Sequence, residues 1–118
     1  MTALLEPEEI RSALQELARR LSEAHIPAGI RVVGGAAVAI AYFAERPATT
    51  DVDVFLTRAD DVKEVAGALG RERGWPETWL NDKALAYASH YDSAADWTLF
   101  LQDGEVTVHV ASLSSCWR

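Results

Sequence analysis

The tightest constraint in the sequence is the run from Ile30 to Thr57. A strand pattern, a glycine pair, an apolar helix pattern, a polar turn and a second strand follow one another there with little between them. Ile30 to Val33 reads as a short strand running into Gly34-Gly35. Glycines at a strand-to-helix turn let the backbone approach a ligand closely. The free N–H groups of the helix that follows point at that ligand, which suits a phosphate. The second strand begins at Asp51. Asp51 and Asp53 are two residues apart and so project to one face, while Val52, Val54 and Leu56 take the other. Two carboxylates side by side at an exposed strand end repel each other, and a hard cation such as Mg²⁺ relieves that repulsion. Asp51 alone has a bland reading as a cap or an Asx turn. Asp53, flanked by Val52, Val54 and Phe55, is harder to read that way, because Asp is a poor strand former that costs stability unless something uses it.

Between the two motifs, Ala36 to Ala44 is apolar on nearly all sides and is expected to pack as a buried helix on the sheet. The turn that follows, Glu45-Arg-Pro-Ala-Thr-Thr50, offers Arg46, Thr49 and Thr50. Arg46 reads either as a surface arginine on a solvated loop or as a contact to a triphosphate, with Thr49 or Thr50 as hydrogen-bond partners.

Upstream, residues 7 to 25 carry an amphipathic helix. Pro7 suits its first turn, Glu8 and Glu9 suit its positive end, and Ile10, Leu14, Leu17 and Leu21 form one stripe. Downstream, Asp60-Asp61 opens a covering helix that runs to about Gly70 or Glu72, with Val62, Val65, Ala66 and Leu69 inward. Gly70 to Pro76 breaks the chain. Trp79, Leu80, Leu85 and Tyr87 read as a shorter helical segment with Asn81-Asp82 as its cap; Trp79 reads as core or as a base-stacking platform. Ser89 to Asp96 reads as a loop. Trp97 to Leu101 and Val106 to Val110 read as paired strands joined by a turn at Gln102-Asp103-Gly104-Glu105. His109 falls on the face opposite Val106, Val108 and Val110. His25, His90 and His109 have no metal-ligand spacing, which argues against zinc.

Val33-Gly34-Gly35 followed by Thr50-Asp51-Val52-Asp53-Val54 resembles the signature of the nucleotidyltransferase superfamily. Trp79-Leu80-Asn81-Asp82 narrows the resemblance to AbiEii-like proteins, relatives of toxin transferases from toxin–antitoxin systems. It covers roughly residues 8 to 112 and implies an α/β (α+β) nucleotidyltransferase-like fold: a mixed sheet of about four strands packed by helices, in one domain over 1–118. It implies transfer of a nucleoside monophosphate from an NTP to an acceptor hydroxyl, the acceptor being an RNA or a protein. Asp51 and Asp53 would be the catalytic, Mg²⁺-binding pair, and Gly34, Gly35, Arg46 and Thr50 the nucleotide contacts. The family usually adds a third carboxylate from a later strand. The last strand here offers Thr107 and His109 outward, which leaves Glu105 at the turn as the nearest acid. The family's further lysine and aspartate follow that strand, where this sequence reaches Ser112 to Arg118. The expectation is therefore weak transfer by this chain alone, with a homo-oligomer or a partner protein completing the site. The competing reading is a non-catalytic binding or regulatory module of the same fold.

A chain of 118 residues holds one core and not two. A net charge of −7 argues against a broad nucleic-acid footprint, which needs lysine and arginine against phosphates. One cysteine allows no internal disulfide, and the N-terminus lacks the pattern of a signal peptide. Together these lead us to expect a cytoplasmic protein with no membrane partner. A dinucleotide site is disfavoured, since neither G-x-G-x-x-G nor a Walker A pattern occurs.

Overall fold

Alternating burial along the strands sets the architecture. In the computed structural model, which describes residues 5–34, 36–37, 40, 51–83 and 97–111, the helices are α1 (Pro7–Glu23) and α2 (Ala59–Arg73). The strands are β1 (Ala28–Val33), β2 (Val52–Leu56), β3 (Leu80–Asn81), β4 (Trp97–Asp103) and β5 (Val106–Ala111). They form one mixed sheet in the order β3-β2-β1-β5-β4. β1 lies antiparallel to β2 and parallel to β5, β2 is parallel to β3, and β4 is antiparallel to β5 across the turn at Gly104-Glu105.

One face of this sheet is apolar. Ile30, Val32, Val52, Val54, Val106, Val108 and Val110 are all buried there. Thr107 and His109, on the other face of β5, stay half-exposed, as the alternation requires. The helices are amphipathic because they cover that apolar face. α1 buries Ile10, Leu14, Leu17 and Leu21, together with Ala13 and Ala18. Pro7 and the acids Glu8 and Glu9 open it, and the Glu6 N–H donates to Glu9 Oε1 at 3.3 Å. Arg20 joins the two helices, donating from both terminal nitrogens to the Glu72 carboxylate at 2.6 and 2.7 Å. Ala36, Ala37 and Ile40 are helical and buried, in keeping with a packed helix after the glycine pair. Among the described residues no helix is long and apolar enough to cross a membrane.

The sheet has five strands where four were expected, because Leu80–Asn81 pairs with β2 instead of opening a helix. The reason is the edge of β2. Its backbone groups need partners, and the Val52 N–H donates to the Trp79 carbonyl at 2.6 Å. Leu85, Tyr87 and Ser89 to Asp96 lie outside the described residues. Trp79 is a core residue: it is wholly buried, donates from Nε1 to the Ala66 carbonyl at 2.7 Å, and meets Trp75 edge-on at 5.3 Å.

Trp79 fits only because α2 has a glycine beneath it. A Cβ on Gly70 would come within 2.6 Å of Trp79 Cδ1 and 3.0 Å of the Pro76 carbonyl oxygen, whereas one on Gly67 would meet nothing closer than 3.8 Å. Gly70→Ala should therefore cost about 1–3 kcal/mol through overpacking, although alanine is the better helix former. Gly67→Ala, free of that clash, should gain up to about 1 kcal/mol. Urea melts of both variants measure the contrast, and equal stability would mean that Trp79 is not seated against Gly70.

Candidate functional site

The β1–β2 register brings the two sequence motifs together. Val33 stands opposite Asp53, so the turn after β1 comes alongside the start of β2. Gly34 at that turn has φ +71°, a conformation that disfavours any side chain. A Cβ there would stand 3.8 Å from Asp53 Oδ2, so the glycine leaves this carboxylate open to the turn. Asp51 immediately precedes β2. Both aspartates are half-exposed while Val52 between them is buried, which puts the two carboxylates on the face of the sheet opposite Val52 and Val54.

The pair sits in an uneven field. Burial first, and the neighbouring Asp51 carboxylate second, raise the Asp53 carboxyl above its ordinary value. Val33, the buried apolar neighbour across the ladder, accounts for part of that desolvation. Lys83 and a hydrogen bond from Asn81 pull the other way without cancelling the rise.

Asn81 is the buried polar side chain of β3, directly beside Asp53 in the ladder. Its amide nitrogen also donates to the Val52 carbonyl at 3.5 Å, and its oxygen accepts the Lys83 N–H at 3.1 Å. The Lys83 contact is an Asx-type turn, and Asn81 is a strand residue where a helix cap was expected. Lys83 carries its ammonium to 3.9 Å from Asp51 Oδ2. Asp82 is occupied elsewhere, by Lys63 of α2 at 2.9 Å.

The sequence reading placed Asp51, Asp53 and Gly34 in the site and missed Asn81 and Lys83 as their neighbours. The available signal was a polar Asn directly after the apolar pair Trp79-Leu80, read as a helix cap rather than as a strand residue. Gly35, Arg46, Thr49 and Thr50 lie outside the described residues. Glu105 is a correction. β5 runs parallel to β1, with Val106 opposite Ala28 at the start of β1, so Glu105 stands at the far end of the sheet from Gly34. It is not a third carboxylate for this site.

Two oxygen-rich carboxylates that raise each other's energy suit one hard cation, with water and phosphate oxygens completing its shell. Among the described residues no set of three His, Cys, Asp or Glu side chains comes together to hold a metal without such help. No family model, no curated protein and no solved structure matches the chain.

The raised Asp53 carboxyl has a consequence for stability. The folded form holds this proton more tightly than the unfolded form. Stability therefore falls as pH rises from the usual carboxylate value, about 4, through the raised one, and stays lower above it. Without metal, Asp53→Asn should melt at a higher temperature than the native chain at pH 7, and the gap should close as pH is lowered towards 4. A gap independent of pH would show that the carboxylate's charge carries no cost in the fold.

Proposed function

We propose that this chain is a nucleotidyltransferase-like protein that transfers a nucleoside monophosphate from an NTP to an acceptor hydroxyl with Mg²⁺. The observation that carries the reading is the contact between the two motifs: Asp53 Oδ2 lies 3.8 Å from where a Cβ of Gly34 would be, with Asp51 on the same edge. The backbone N–H groups at the glycine turn would hold the phosphates, which a side chain at Gly34 would obstruct. Asp51 and Asp53 would hold Mg²⁺, which when bound screens the phosphate charge and polarises the α-phosphorus.

In the reaction the acceptor oxygen bonds to the α-phosphorus, and the bond from that phosphorus to the β-phosphate oxygen breaks. Pyrophosphate leaves with the bonding electrons. The hydroxyl proton passes to water. Asn81 fixes the orientation of Asp53 from the neighbouring strand. Lys83, whose side chain is 75% exposed, is long and free enough to swing from Asp51 to a phosphate oxygen.

Lys83 also gives the competing reading its support. An ammonium 3.9 Å from Asp51 partly does the work of a cation, as it would in a degenerate module that binds without catalysing. Calorimetry tests the metal-dependent nucleotide site that transfer requires. The native chain should bind NTP in a Mg²⁺-dependent way, and an Asp51→Asn/Asp53→Asn double variant should bind at least tenfold more weakly. Equal binding by both proteins, or binding indifferent to Mg²⁺, would reject the transfer reading.

A further inference from the structure

The face of the sheet that carries the aspartates holds a second cluster, beyond the carboxylates. Arg31 stands in register between Phe55 of β2 and His109 of β5. With Gly29, Thr57 and Thr107 these residues line an open cleft of about 290 Å³. Arg31 is exposed, and its guanidinium lies 5.2 Å from the centre of the Trp97 ring. That ring meets Phe55 edge-on at 6.2 Å. Among the described residues no carboxylate pairs with Arg31. The acids of this face, Asp51 and Asp53, lie further along β2.

We propose that this cleft binds the acceptor and that the acceptor is a mononucleotide; the acceptor role rests on the transfer reading above. Four features select that class of ligand. Arg31, held on Trp97, has no carboxylate partner among the described residues, and a guanidinium matches phosphate oxygens with paired donors. The hydroxyls of Thr57 and Thr107 and the ring nitrogens of His109 add neutral hydrogen-bonding groups around it. Thr57 Oγ1 already accepts the Gly29 N–H at 2.6 Å, which leaves its own proton to donate. Phe55 gives a flat base an aromatic surface.

The dimensions agree. The volume sits near the small end of ligand clefts, which run from roughly 300 to 1,000 Å³, and so fits one nucleotide rather than a larger cofactor. Arg31 is two residues along β1 from Val33, the partner of Asp53, a separation of roughly 7 Å. One nucleotide can span that distance, with its phosphate on Arg31 and its ribose hydroxyl towards Asp53. A long nucleic acid is disfavoured by the net charge of −7.

The test is calorimetry with AMP, GMP, CMP and UMP in the presence of EDTA, so that the carboxylate pair cannot recruit a metal. At least one mononucleotide should bind saturably, and its nucleoside should not. Arg31→Gln should weaken that binding tenfold or more while leaving Mg²⁺-dependent NTP binding in place, and Thr107→Val should weaken it less. Circular dichroism of each variant checks the fold, and Thr107→Val carries the test if Arg31→Gln does not fold.

No saturable mononucleotide binding, binding untouched by both variants, inorganic phosphate binding as tightly as the nucleotide, or a ten-residue oligonucleotide binding more than tenfold tighter would each overturn the proposal. The two readings fail separately. Loss of Mg²⁺–NTP binding with mononucleotide binding intact sinks transfer, and with it the acceptor role, but leaves a mononucleotide site. The reverse result sinks the cleft and leaves transfer standing.

Discussion

The antiparallel register of β1 on β2 decides where this protein keeps its charge. With Val33 opposite Asp53 and Val32 opposite Val54, Val32 and Val54 enter the helix-packed core, and Asp53 takes the other face beside Gly34. A slip of one residue would turn Asp53 inward and push Val52 and Val54 into water. The buried valines therefore hold the register against the slip, and the site inherits its geometry from the core. The glycine turn and the carboxylates meet because two apolar rows must be buried together, with no contact between the motifs needed to draw them in.

Strand alternation has a second effect. The helices bury Ile30, Val32, Val52, Val54 and the valines of β5, and the opposite rows carry polar, aromatic and charged residues beside the buried Val33 and Ala111. Asp51, Asp53, Arg31, Thr107 and His109 thus share one surface. Like charge at one end and an arginine further along make that surface electrostatically graded, which suits a ligand with a metal-binding end and an anionic end.

What the sequence disclosed follows from period. Asp51-Val-Asp53-Val and Val106-Thr-Val-His-Val110 alternate strictly, so their faces were readable, and the stripe Ile10, Leu14, Leu17 and Leu21 made α1 plain. β3 was not readable, since a strand of two residues is too short to show a period and Trp79-Leu80 suits a helix equally well. The distance of Glu105 from the site was hidden for another reason. It depends on β5 lying parallel to β1, and strand order is a property of the sheet that no local pattern records. Asn81 fell into the same gap, because its partner Asp53 lies far back in the sequence and meets it only across the β2–β3 ladder.

That ladder links the site to the packing of Trp79 against α2. Trp79 is wholly buried; at about 25 cal/mol per Å² over roughly 200 Å², its burial contributes about 5 kcal/mol as an upper figure. The Nε1 bond to Ala66 and the close approach over Gly70 leave the ring one position. The Trp79 carbonyl takes the Val52 N–H, and two residues later Asn81 reaches Asp53. A two-residue strand cannot hold itself on a sheet edge through its own ladder. Its anchor is the tryptophan before it, so the orientation of a half-buried carboxylate is set by how a helix glycine admits an indole ring.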